Sequence, residues 1–227
     1  MDAVLGPDTI LIEAAVESLD AALAAAQGGA GRIELCEDLA QGGTTPPVEL
    51  IRTARARLPI PIFVLVRVRA GDFVYTRAEH RATLDQIRAA KDGGAQGIVA
   101  GALTRDGDID ENQTRELVAA ADPLPLTFHR AIDASRDIAA ALGRVIACGA
   151  QRVLTSGGAP TALAGVDTIK RLVQQSRGKI VILPGGKIDA SNARRIVTQT
   201  GVREVHFSAV GGEKVRRVIE SLAGAPR

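Results

Sequence analysis

Residues 29–33 read GAGRI, and closely related units return as GAQGI at 94–98, GAQRV at 149–153 and GVREV at 201–205. Successive copies are 65, 55 and 52 residues apart. In each copy a glycine follows a helical pattern, as is common at a helix C-terminus, and a β-branched residue then opens an extended segment. The unit therefore marks the passage from a helix to a strand, repeated four times along the chain.

Four more strand-like segments complete the pattern, at residues 10–16, 61–69, 126–133 and 179–184. Eight strands that alternate with helical stretches predict a single α/β domain over residues 1–227, closed as a (βα)8 TIM-type barrel. An open doubly wound sheet is the alternative, but it usually carries a glycine-rich phosphate loop after its first strand. No such loop follows here. We place the strand starts near residues 10, 32, 61, 97, 125, 152, 179 and 204.

Composition excludes several classes of protein. The 227 residues carry 28 basic and 26 acidic side chains, and aromatic residues make up only 2% of the chain. Neither a basic patch nor a stacking surface for nucleic acid is indicated. No run of about 18 apolar residues predicts a membrane span, and the first residues lack a signal-peptide pattern. With only Cys36 and Cys148, we expect a cytoplasmic, reduced protein that binds no nucleic acid, membrane or nucleotide cofactor.

Polar side chains recur at every second position of several strands, although parallel barrel strands are usually apolar. Charges against the helix layer would be costly, so we expect them inside the barrel, where the arginines meet Glu13 and Glu34. A satisfied core network without function is the alternative interpretation. The residues predicted to point inward are Glu13, Arg32, Glu34, Arg67, Arg69, His129 and His206.

The late residues of each strand and the loops that follow should form the C-terminal mouth, where barrel active sites lie. Glycine-rich turns after strands six and seven are suited to a phosphate or carboxylate, although they also occur as tight turns without a ligand. The candidates for acid–base catalysis are Glu13, Glu34, His129, Asp133 and His206. The candidates for substrate binding are Arg67, Arg69, Asp72, Ser156, Gly157, Gly158, Gly186 and Ser208.

Several motifs closely resemble the CutC copper-homeostasis family. They lie at residues 29–46, 67–75, 127–133, 152–158 and 206–208, and include RIELC, TFHRA and RVLTSGG. The resemblance implies a cytoplasmic (βα)8 barrel concerned with copper homeostasis or copper binding. It points to Cys36 as the lead metal ligand, with His129 or His206 as partners.

The chain departs from the pattern of that family at two positions that bear on the site. Ala15 stands where many relatives have a cysteine, which removes a second thiolate beside Cys36. Lys187 stands where a further glycine is usual in the turn after strand seven. Because Cu(I) prefers sulfur ligands, we expect any copper site in the monomer to be incomplete unless a histidine or a second subunit contributes.

Two functions therefore stay open. One is copper binding, as the resemblance implies. The other is a barrel enzyme of lyase, aldolase or isomerase type, acting at the mouth on a small phosphorylated or carboxylated metabolite. A homo-oligomer is left open in either case.

Overall fold

The structure is a computed structural model that describes residues 9–223, so residues 1–8 and 224–227 of the predicted domain lie outside the described residues. Strands and helices alternate along the whole of this range. The strands are β1 (Leu11–Val16), β2 (Arg32–Leu35), β3 (Ile62–Leu65), β4 (Gly97–Ala100), β5 (Leu126–Phe128), β6 (Arg152–Thr155), β7 (Val181–Pro184) and β8 (Glu204–Ser208). The helices are α1 (Leu19–Gln27), α2 (Val48–Arg57), α3 (Arg77–Asp92), α4 (Glu111–Ala121), α5 (Ile138–Ala147), α6 (Val166–Ser176), α7 (Ala193–Thr200) and α8 (Gly212–Leu222).

All strand pairs are parallel, in the order β7-β6-β5-β4-β3-β2-β1-β8. A bridge between Gly185 and His206 joins the two ends of this sheet and closes the ring. The predicted TIM-type barrel is confirmed, and every strand begins within two residues of its predicted start. The register sets Glu13 opposite both Arg32 and His206, so side chains of β1, β2 and β8 share one level of the barrel.

Local signals in the sequence account for the helix starts. The Ser18 hydroxyl accepts the Ala21 N–H at the start of α1, and Thr76 with Glu79 forms a reciprocal capping box at α3. Asp110 caps α4 and Asp137 caps α5 through their carboxylates. None of the helices within residues 9–223 is long and apolar enough to cross a membrane.

Each strand divides its side chains between two environments. Alternate residues such as Ile33, Leu35, Ile62 and Val64 are buried in the large apolar core that contacts the helices. The intervening residues point into the barrel, where a small apolar layer is formed by Ala15, Cys36, Phe63, Leu65 and Val99. Polar side chains lie on both sides of this layer, one group near the strand starts and one at the mouth.

Candidate functional site

A layer of buried charge fills the barrel near the amino-terminal ends of the strands. The Arg32 guanidinium pairs with both Glu13 and Glu204, and Arg152 lies 3.2 Å from the Glu204 carboxylate. The Phe63 ring lies between the two arginines, 4.7 Å from the Arg32 Cζ and 5.3 Å from the Arg152 Cζ. Arg152 and Glu204 were not among the predicted site residues, although both begin a strand and share the inward face with Leu154 and His206.

Glu13 connects this charged layer to the mouth. Its carboxylate is fully buried, and Oε1 lies 2.7 Å from His206 Nδ1. Ligating atoms of Glu13, Glu34 and His206 all lie within 4.8 Å of one another. Glu34 Oε2 is buried and has no hydrogen-bond partner. These three predicted residues therefore form one cluster on the β1, β2 and β8 wall of the barrel.

The three members of the cluster hold protons very differently. Burial alone would raise the pKa of Glu13, but the charges of Arg32 and His206 hold it at about 2. Burial raises the pKa of Glu34 to about 7, and the nearby Glu13 charge adds to this effect. Burial opposes a charge on His206, yet Glu34 and Glu13 raise its pKa above the usual value. At neutral pH, Glu34 is thus poised to gain or lose a proton.

Glu34→Gln is expected to raise the free energy of unfolding by about 2 kcal/mol at pH 8 and to change it little at pH 5. The unfolded chain ionises Glu34 near its ordinary pKa of 4.5, whereas the folded protein keeps the proton up to about 7. Wild-type stability therefore falls as the pH rises through this window, and glutamine removes that loss. Urea unfolding at both pH values measures it, with the exposed Glu37→Gln as control. Parallel pH profiles for wild type and Glu34→Gln would contradict the prediction.

A cavity of about 350 Å³ opens above this cluster at the carboxyl ends of the strands. It is lined by Ala15, Leu65 and Val99 of the inner apolar layer and by Phe73. Of the predicted site residues, it is lined by Glu34, Arg67, His129, Gly186, His206 and Ser208. Arg130 and Lys187 also line it, although neither was among the predicted substrate-binding residues.

Arg67 points into the mouth as predicted, but it has no acidic partner. Its guanidinium donates to the carbonyl oxygens of Gln41 at 3.3 Å, Gly43 at 2.9 Å and Gly71 at 2.7 Å. No carboxylate within residues 9–223 forms an ion pair with it, so the expected pairing with Glu13 or Glu34 is wrong. Glu13 is already paired with Arg32 and His206, and Glu34 lies beside Glu13 and His206 without an ion pair. Arg67 therefore joins two loops and leaves its positive charge unneutralised at the cavity.

Arg69 does not point into the barrel, and this prediction is wrong. Its side chain is about one-third exposed and pairs with Glu79 at 2.5 Å and Asp72 at 2.9 Å. Strand β3 already ends at Leu65, so the alternation that was extended to Arg69 no longer applies there. Asp72 is exposed on the same loop. Neither residue lines the cavity.

The glycine-rich turn after β6 is filled by a carboxylate of the protein itself. Asp133 accepts the N–H groups of Ser156 and Gly158 at 3.0 Å, and it accepts the Thr155 hydroxyl at 2.5 Å. The Gly157 N–H donates to the Thr155 hydroxyl at 2.8 Å. The donors predicted for a substrate anion are thus already used. Asp133 is tied to the loop and does not line the cavity, so we assign it no proton transfer.

Arg130 and Lys187 supply further positive charge at the rim. Arg130 lies between Asp133 at 2.9 Å and the Ser156 hydroxyl at 2.8 Å, which fixes its guanidinium beside Gly186. Lys187 is exposed and adopts a left-handed backbone with φ of 55°, a conformation that favours glycine. Within residues 9–223, its ammonium group has no hydrogen bond or ion pair. In the sequence, the signal for Lys187 is a lysine directly after a glycine turn at the end of a strand.

The model of the CutC family matches residues 10–211. The chain belongs to the CutC family. This CutC chain is 47% identical over 199 residues to a copper homeostasis protein cutC homolog of Mus musculus, a match that covers 88% of this chain and 73% of the mouse protein.

A solved structure agrees with this assignment. The CutC structure from Streptococcus agalactiae is 32% identical with a TM-score of 0.84, and the match covers 88% of this chain and 98% of that one. A solved aldolase has a TM-score of 0.70 at 12% identity, covering 96% of this chain and 97% of that one. The second similarity concerns the barrel fold alone.

The residues of this CutC chain do not fit a Cu(I) centre. Cys36 is fully buried, and its thiol donates to the Val16 carbonyl at 3.4 Å. Burial and the nearby Glu34 raise its pKa, which disfavours the thiolate that binds metals. The convergent group Glu13, Glu34 and His206 contains no sulfur, and Glu13 contacts the Arg32 guanidinium. Cu(I) prefers thiolate and thioether ligands.

Proposed function

We propose that the mouth of this CutC-family barrel is the active site of an enzyme of lyase, aldolase or isomerase type, which acts on a small phosphorylated or carboxylated metabolite. The observation that carries the proposal is the set of side chains that line the cavity. A buried carboxyl group with a pKa near 7, two imidazoles and three cationic side chains line about 350 Å³. Groups of this kind are needed to move protons on a bound anion.

Charge supports an anionic ligand. Arg67 and Lys187 bring positive charge to the cavity without an acidic partner among the described residues, and Arg130 stands beside them. Glu34 is the only carboxylate among the lining residues, and burial favours its neutral form. The space is thus complementary to a small anion held at the rim. Glu34 and His206 provide the proton-transfer groups below it, while Glu13 holds the imidazole of His206.

Lys187→Gly is expected to weaken anion binding by about tenfold without lowering stability. Glycine favours the left-handed backbone at this position, so the fold is not strained by the change. Calorimetry with inorganic phosphate, n-propyl phosphate and propionate measures the affinities at low salt. Lys179→Ala, an exposed residue just before β7 and away from the mouth, removes the same charge as a matched control. Equal losses in both variants would show that only net charge matters.

Catalysis is tested by solvent deuterium incorporation into pyruvate and hydroxyacetone phosphate, followed by proton NMR. Wild-type protein should accelerate exchange at the carbon next to the carbonyl, and Glu34→Gln should lower the rate at least about 100-fold. Exchange at the same rate in both proteins would exclude Glu34 as the acid–base group.

Copper binding is the second candidate function, because the mammalian relative is named for copper homeostasis and a free thiol lies in the inner barrel layer. From the ligands present, anaerobic Cu(I) titration of wild type and Cys36→Ser is expected to show no tight one-to-one site in either protein. Tight binding that disappears in Cys36→Ser would favour the copper function over the enzyme. We also infer a reducing, cytoplasmic location, since Cys36 and Cys148 are both free thiols.

A further inference from the structure

The proton on the His129 ring is positioned by the backbone of the following turn. Residues Arg130–Ala134 form a short 3-10 helix after β5, and the Ala131 N–H donates to His129 Nδ1 at 3.3 Å. A nitrogen that accepts a hydrogen bond carries no proton of its own. The single proton of the neutral ring therefore lies on Nε2.

The ring is also kept neutral. Burial and the positive charge of Arg67 lower the pKa of His129 to about 3. The side chain is 4% exposed, and the Phe73 ring packs against it with centroids 5.0 Å apart. Phe73 in turn lies 4.9 Å below the Arg67 Cζ, so the three side chains form a stack that fixes the imidazole. His129 is thus a neutral hydrogen-bond donor at physiological pH.

This donor has no acceptor within residues 9–223. His129 Nε2 is buried and unpartnered, and its residue lines the mouth cavity. Buried donors are rarely left unpaired in folded proteins, so an acceptor is expected from outside the chain. In an eight-stranded ring, β5 lies across from β1. His129 therefore belongs to the wall that faces the Glu34 and His206 pair, whose strands flank β1.

We propose that the Nε2–H of His129 binds a carbonyl oxygen of the substrate, which makes the substrate class a small anionic ketone or aldehyde, such as a 2-oxo acid or a phosphorylated ketone. This inference rests on the proposed function and specifies its ligand. His129 Nε2 and Glu34 Oε2 are two unpartnered atoms on facing walls. In this proposal, the first contacts the carbonyl oxygen and the second contacts the adjacent carbon of the same molecule.

The assigned positions give a balanced proton transfer. The Glu34 carboxylate takes a proton from the carbon next to the carbonyl, and the C–H electron pair becomes the new carbon–carbon double bond. The carbonyl electron pair moves onto its oxygen, where the Nε2–H of His129 stabilises the negative charge. The proton stays on Glu34 until it is returned to the same or another atom. A neutral imidazole serves this role by donating a hydrogen bond to the oxygen without having to be an imidazolium.

The protonation state is tested on the intact protein with ¹⁵N-labelled histidine and two-bond nitrogen–proton NMR. The expected spectrum shows the His129 Nε2–H form unchanged between pH 5 and 8. An Nδ1–H form, or an imidazolium in this range, would overturn the proposal.

Carbonyl recognition is tested with two pairs of probes that differ only by a carbonyl in place of a methylene. Pyruvate is compared with propionate, and hydroxyacetone phosphate with n-propyl phosphate, by calorimetry. Wild type should bind each carbonyl compound at least about tenfold more tightly than its partner. His129→Leu should reduce this ratio to about one while the methylene compounds still bind, and His129→Gln, which keeps a donor, should retain part of the ratio. His80→Leu is the control, because His80 is buried on α3 and pairs with Glu116.

The outcomes separate this inference from the function it rests on. Equal binding of both members of each pair, with anion binding intact, overturns the carbonyl assignment and leaves the anion-binding enzyme standing. Failure of all four probes to bind overturns both. Should His129→Leu fail to fold, the ratio in His129→Gln decides: a reduced preference for the carbonyl compound supports the inference, and an unchanged preference overturns it.

Discussion

Arg32→Met is expected to lower the free energy of unfolding by about 3–5 kcal/mol at pH 7. Glu13 is fully buried, and the Arg32 guanidinium is the main charge that keeps it ionised. Methionine fills a similar volume but leaves a buried carboxylate with only His206, and it also frees Glu204 from one partner. Urea unfolding measures the loss. A loss below about 1 kcal/mol would mean that water reaches this layer.

The pH dependence of this stability loss shows whether it arises from the ionised Glu13. The folded-state pKa of Glu13 is about 2, below its ordinary 4.5, so its ion pairs stabilise the wild type above pH 4.5 and lose this effect as the pH falls towards 2. The difference between wild type and Arg32→Met should therefore shrink with falling pH. Adding Glu13→Gln to the variant should recover part of the loss. Arg52→Met, at an exposed pair with Glu49, should change stability by less than about 0.5 kcal/mol.

Asp133→Ala is expected to cost about 3–4 kcal/mol of folding stability, and formate should restore part of it. The change removes a carboxylate that accepts from Ser156, Gly158, Thr155 and Arg130, and it leaves their donors facing an empty space. Formate has the same carboxylate geometry and is small enough to replace it. The midpoint of thermal unfolding, measured against formate concentration, should rise for the variant more steeply than for wild type.

Asp137→Ala provides the matched control. Its exposed carboxylate caps α5 through the N–H groups of Ala139 and Ala140, so its loss should cost about 1 kcal/mol. Formate should not restore this loss, because removal of an exposed capping carboxylate leaves no enclosed space for formate to occupy. If formate fails to distinguish the two variants, the loop around residues 155–158 does not form an anion-shaped space.

Much of the candidate site was accessible from the pattern of the strands. Glu34, His129 and His206 occupy inward positions because side chains alternate along a strand, and closure of the ring brings them to one cavity. Lys187 stands out in the sequence only as a departure from the glycine usual in its turn, since the sequence does not show that its ammonium lacks a partner. Arg69 was misplaced because the end of β3 depends on the neighbouring strands, which stop pairing after Leu65 and Val99.

The sequence by itself determined the (βα)8 architecture. Repeated helix-to-strand units and period-two alternation are local properties, and eight parallel strands with covering helices have few other ways to bury both faces. Only the tertiary structure decided which charges pair. Arg32 and Glu204 are 172 residues apart, and Asp133 reaches a turn 22–25 residues further along the chain. Such partners are selected by distance and by the cost of leaving a buried polar group unpaired, and both quantities exist only once the barrel has closed.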